Sequence, residues 1–69
     1  MKEWIKTEEK LPEKNVWVEV KAEMFPNTTG YALLVDAEWG TTEWLYSGII
    51  NMAIDMIQEW REVKDENSN

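Results

Sequence analysis

Apolar and polar residues alternate along the first two thirds of the chain, and the spacing then changes. Val16, Val18 and Val20 alternate with Trp17, Glu19 and Lys21. This period of two predicts a strand with the valines on one face and Trp17 on the other. The segment before it, LPEKN, has Pro12 to enter a turn and Asn15 to close it. The segment after it, MFPNTTGY, is a loop by its Pro, Asn, Thr and Gly content. Tyr31 to Trp39 predicts a second strand, with Leu33, Val35, Ala37 and Trp39 on one side and Leu34, Asp36 and Glu38 on the other. Gly40, Thr41 and Thr42 then make a short hairpin loop, and Glu43 to Tyr46 return antiparallel with Trp44 and Tyr46 on a shared face. Trp39 and Trp44 are thereby expected in the core.

From Ser47 onward a helical period fits better. At about 100° per residue, Ile49, Ala53, Met56, Ile57 and Trp60 fall on one side, flanked by Ile50 and Ile54, with Asn51, Asp55, Gln58 and Glu62 opposite. Ser47 is the expected cap. The expected fold is α+β: a small antiparallel sheet of three to four strands, the extra one at Trp4-Ile5, with one carboxyl-terminal helix packed on it. Residues 1–63 are read as a single small domain and 64–69 as a frayed tail with nothing to bury.

Composition narrows the chemistry. The chain has 69 residues, five of them Trp, with two Tyr, one Phe and no Cys, so an aromatic-rich core is expected to hold a domain that no disulfide staples. With neither His nor Cys, the commonest general base, the commonest metal ligand and the thiol nucleophile are all missing. The only serines are Ser47, at the predicted helix start, and Ser68, in the tail. No enzymatic activity, catalytic residue, cofactor or metal is expected. Asp36 and Glu38 with Glu43 across the hairpin resemble the hard-oxygen set that Mg²⁺ or Ca²⁺ takes, but a solvated acidic strand face is the reading adopted. The amino terminus interrupts its apolar residues with charge too often for a signal peptide or membrane span. A soluble, cytoplasmic protein is expected.

Charge changes the picture more. The net charge is −7, and it is segregated. Residues 1–21 hold five Lys and five Glu, whereas residues 22–60 hold no Lys or Arg and carry Glu23, Asp36, Glu38, Glu43, Asp55 and Glu59. Such a field repels nucleic acid and anionic membranes and favours a basic protein surface. Alternate strand residues lie about 6.6 Å apart and i, i+4 helix residues about 6 Å apart, spacings comparable to successive nucleic-acid phosphates. Asp36 with Glu38, and Asp55 with Glu59 and Glu62, are therefore expected to present two acidic rows, with Glu43 completing the first. The same acidity also serves plain solubility. Trp17, opposite the valines, is either core or the anchor of an aromatic interface, and in the second case a homodimer through that sheet face is the alternative.

The stretch EWIKTEEKLPEKNVWVEV, residues 3 to 20, resembles the opening of a family of small phage and prophage proteins known as domain of unknown function 551. The matching positions are Trp4, Ile5, Leu11, Pro12, Val16, Val18 and Val20. Such proteins end in a strand bearing His-Trp and then prolines. Here Glu59 stands where the His would be, next to Trp60, and no proline follows. The resemblance therefore implies a last strand over residues 57 to 63, where periodicity implies the end of a helix. It also implies a phage or mobile-element origin. The expected role is a small acidic protein that binds a host protein with a basic surface, as an anti-CRISPR or anti-restriction inhibitor that mimics nucleic acid would.

Overall fold

The computed structural model describes residues 3–63; the expected tail, 64–69, lies outside them. Six strands form one antiparallel sheet: β1 (Ile5–Lys6), β2 (Val18–Ala22), β3 (Gly30–Asp36), β4 (Thr42–Tyr46), β5 (Ile50–Met52) and β6 (Ile57–Glu62), in the order β1-β6-β2-β3-β4-β5. No α-helix occurs among the described residues, only two 3₁₀ turns, Glu38–Gly40 and Ile54–Met56. The expected α+β architecture with a carboxyl-terminal helix is therefore wrong.

Alternation builds β2 as expected, whereas β3 ends at Asp36 and turns inward the face opposite to the expected one. Val18, Val20 and Ala22 are buried, and Val18 pairs with Ala32 while Val20 pairs with Trp60 on its other side. Leu34, Trp44 and Met52 continue the same buried face through direct cross-strand partners. The inward residues of β3 are thus Ala32 and Leu34, and Leu33 and Val35 lie on the opposite face, half buried. Val16 precedes β2 and is exposed. Gly30 sits where a Cβ would overlap the phenol ring of Tyr46, and Phe25 stacks on that ring with centroids 5.5 Å apart.

The presumed helix breaks into a turn, a strand, a 3₁₀ turn and a second strand. Ser47 and Gly48 take positive φ, 57° and 79°, which turns the chain into β5 instead of starting a helix. Ile49, expected on the buried side, is 79% exposed. The helical look of Ile57 and Trp60 has a specific cause: β6 pairs Lys21 with Glu59 and Ala22 with Ile57, skipping Gln58 in a bulge. One extra residue lets positions three apart face the same side of a strand, which imitates the i, i+3 spacing of a helix.

The link from β5 to β6 forces the sheet to curl. Four inter-strand spacings of about 4.8 Å separate these strands in a flat sheet, roughly 19 Å. The five steps from Met52 to Ile57 span at most about 17 Å when fully extended, and part of this link is coiled into the 3₁₀ turn. The sheet therefore curls around a concave core, with the link over β4. Trp44, fully buried, donates its indole N–H to the carbonyl of Ile54 in that link at 3.3 Å. On the other side, buried Trp60 donates its indole N–H to the carbonyl of Lys10 at 2.8 Å, fixing the segment that carries buried Pro12.

The two hairpin tryptophans separate accordingly. Trp44→Ala is expected to cost about 3–5 kcal/mol, comparable to the whole stability of a domain this small, whereas Trp39→Ala is expected to change stability by no more than about 0.5 kcal/mol. Urea denaturation followed by far-ultraviolet circular dichroism checks both; equal destabilisation would contradict this placement.

Candidate functional site

Trp39 reverses the expected placement. Strand β3 ends at Asp36, which pairs with Thr42, so residues 37 to 41 form the hairpin loop and Thr42 already belongs to β4. The loop is closed by Ala37 N–H donating to Thr41 O at 2.7 Å and by the Thr41 hydroxyl donating to Glu38 O at 3.1 Å. Within it Trp39 takes φ 68° and Gly40 φ 77°, left-handed conformations that carry the chain round the tip. Trp39 shares its alternation with Leu33 and Val35, which lie on the outer face and not in the core; the strand has in any case ended at Asp36, and the Trp39 side chain is 94% exposed.

The six predicted acidic residues do not form two rows. Asp36, Glu38 and Glu43 do come together at the tip, lining a shallow depression with Ala37, Trp39, Thr41 and Asn51. They are there for different reasons. Asp36 ends β3 and is paired with Lys14 Nζ at 2.6 Å. Glu43, on the outer face of β4, accepts from the Asn51 amide at 3.1 Å. Glu38 lies in the 3₁₀ turn, not on a strand face shared with Asp36, and is exposed. Asp55 and Glu59 line one groove with Lys6, Thr7, Glu8 and Gln58, while Glu62 lies apart, because the helix that would have put all three in a row does not exist. Asp55 lines it from the second 3₁₀ turn. Glu59 points to the outer face and pairs with Lys21 at 3.3 Å. Glu62 ends β6, by Lys10, Leu11 and Pro12. Among the described residues no three acidic side chains are grouped to hold a metal ion.

The outer face of the sheet, away from the concave core, divides into two parts. Across β6 and β2 it is a charged lattice. Lys21 Nζ lies 4.5 Å from the Trp4 ring centroid and the Arg61 guanidinium 4.3 Å from it. Arg61 donates through Nε to Glu19 at 2.8 Å, and the Thr29 hydroxyl donates to the other Glu19 oxygen at 3.0 Å. The hydrogen bond from Arg61, more than any other contact, holds the Glu19 carboxyl below its ordinary value of 4.5, against the opposing pull of burial. Sequence reading missed this lattice, although the i, i+2 pairs Glu19 with Lys21 and Glu59 with Arg61 carried its signal. Across β3 and β4, apart from Glu43 at the tip, the outer face is apolar: Tyr31, Leu33, Val35 and Leu45, with Trp17 seated against Gly48. Trp17 is 49% exposed and Tyr31 52%, so Trp17 is not core.

No family model, curated protein or solved structure matches the chain. No helix among the described residues is long and apolar enough to cross a membrane.

Because the folded-state pKa of Glu19 is depressed, its ion pair contributes stability above the unfolded carboxylate range and loses it as pH falls through the folded value. Glu19→Gln is therefore expected to be less stable than wild type at pH 7, with the gap narrowing as the pH is lowered past the ordinary value of 4.5. Urea midpoints measured across that range check it; a gap independent of pH would remove the assignment.

Proposed function

We propose that this chain is a non-enzymatic binding module of phage or prophage origin. It acts in the bacterial cytoplasm by occupying a basic surface of a host protein that otherwise receives nucleic acid, as an inhibitor of a CRISPR or restriction system would. The observation that carries the reading is the layout of charge. Between Ala22 and Trp60 every charged side chain is a carboxylate, and three of them line the depression at the hairpin tip. Cations nearest the middle of the sheet are engaged internally, Lys14 by Asp36, Lys21 by Glu59 and Arg61 by Glu19. Such a surface accelerates encounter with a basic protein and disfavours nucleic acid itself and anionic membranes. Phosphate mimicry now rests on the tip alone, since Asp55, Glu59 and Glu62 do not line up. The phage origin rests on the resemblance at residues 3 to 20, and the strand character of β6 around Trp60 supports it.

The immobilised protein is expected to retain nucleic-acid-binding proteins from a bacterial lysate, and duplex DNA should displace them. Retention should fall as ionic strength rises from about 0.1 M to 1 M, where the Debye length shortens from about 10 to 3 Å. The double variant Glu38→Gln, Glu43→Gln should retain less. A retained set unaffected by salt, DNA and the variant would sink the electrostatic reading.

A second reading has its own observation. Trp17 and Tyr31, each about half exposed, border half-buried Leu33 and Leu45 on one sheet face, the composition of a self-assembling module that dimerises there. Sedimentation is then expected to give a dimer for wild type and a monomer for Trp17→Ala. A wild-type monomer at the highest attainable concentration would remove this reading.

A further inference from the structure

Among the described residues, one arrangement of tryptophan, carboxylate and cation is complete, and one lacks the cation. In the completed one, the Trp4 ring is flanked by Lys21 and Arg61, whose charges are taken up by Glu59 and Glu19. At the hairpin tip the Trp39 indole stands beside Glu38 and Glu43 around one depression. Lys14, nearby, is directed to Asp36. The other tryptophans are all occupied: Trp44 and Trp60 are buried with their N–H groups bonded, Trp4 carries the two cations, and Trp17 rests on Gly48. Trp39 alone offers an open indole face, at 94% exposure.

We propose that the hairpin tip is a binding site for an arginine side chain of the partner protein, the guanidinium lying on the indole of Trp39 and donating to Glu38 or Glu43. This rests on the reading that the partner presents a basic surface. The carboxylates alone would accept any cation; the indole makes the site selective. A guanidinium is planar, weakly hydrated and forked, so it stacks on an aromatic face while hydrogen-bonding a carboxylate, whereas an ammonium keeps its water. A purely apolar partner would have to desolvate the flanking carboxylates without compensating them. A second copy of this chain, approaching tip to tip, would bring carboxylates against carboxylates, so it is not the occupant.

Binding of two peptides of equal length, one of arginine only and one of lysine only, measured calorimetrically at low and high salt, tests the site. The arginine peptide is expected to bind about two- to fivefold more tightly, the range of a solvent-exposed cation–π contact. Trp39→Ala should bring it to the level of the lysine peptide, weakening lysine binding less and leaving the unfolding midpoint unchanged, while Trp39→Phe should keep part of the preference. In the double variant Glu38→Gln, Glu43→Gln both peptides should weaken. Equal salt-sensitive binding of the two peptides, or an arginine preference that survives in Trp39→Ala, would overturn the site while leaving the acidic-surface reading standing. If neither peptide binds even at low salt, that reading falls with it.

Discussion

The fold depends on giving two buried indoles their hydrogen bonds. Trp44 and Trp60 fill the concave side of the sheet, and each brings a donor that would be costly to bury unpaired, by about 1–3 kcal/mol. Neither acceptor comes from a strand. Trp44 bonds to Ile54, in the link that crosses from β5 to β6, and Trp60 bonds to Lys10, in the segment that leads from β1 toward β2. The two non-sheet segments are therefore held over the core by the same side chains that fill it. Thr7 adds to this, donating through its backbone N–H to Gln58 O and through its hydroxyl to Ile57 O, which keeps the two-residue β1 on β6. A chain of 69 residues with no disulfide gains a closed core in this way without needing a helix as a lid.

What was legible in the sequence followed from alternation, and what was not followed from its interruptions. The inward placement of Val18, Val20, Trp44 and Tyr46 and the short strand near Ile5 come from a period of two, which put Trp17 opposite the valines but left open whether that face is core. The error at the carboxyl terminus arose where that period is broken twice in a dozen residues. Met52, Ile57 and Trp60 are buried from two strands separated by a 3₁₀ turn and a bulge, and the spacing of three between Ile57 and Trp60 imitates a helical face. Ser47-Gly48 held the contrary signal, because a glycine there suits a turn with positive φ better than the first turn of a helix.

The candidate site was half legible for the same reason. Asp36, Glu38 and Glu43 were brought together by the hairpin, which was foreseen, but Asp55, Glu59 and Glu62 had been aligned only by the helix. Trp39 belongs inward only if the Leu33, Val35 and Ala37 face of the strand is the core face, and the structure buries Ala32 and Leu34 instead. The chain also leaves the strand at Asp36 and needs five residues to turn. Glycine after Trp39 marked the place where left-handed backbone begins, and a bulky residue at the tip of such a turn has no core to reach.

Glu-Trp occurs four times, at residues 3–4, 38–39, 43–44 and 59–60, and backbone context alone decides what each pair does. In β4 and β6, alternation sends the tryptophan into the core and its glutamate to the outer face, where Glu43 meets Asn51 and Glu59 meets Lys21. At residues 3–4 the register of Ile5 with Trp60 turns Ile5 inward, so Trp4 goes outward and becomes the platform for Lys21 and Arg61. At residues 38–39 there is no strand, hence no inward side, and both members of the pair are left facing solvent at the end of a hairpin closed by the Ala37 N–H and the Thr41 hydroxyl. A large apolar ring is costly to leave in water at about 25 cal/mol per Å². The three other pairs each give their tryptophan a neighbour inside the molecule, and this one holds its ring where only another molecule can supply one.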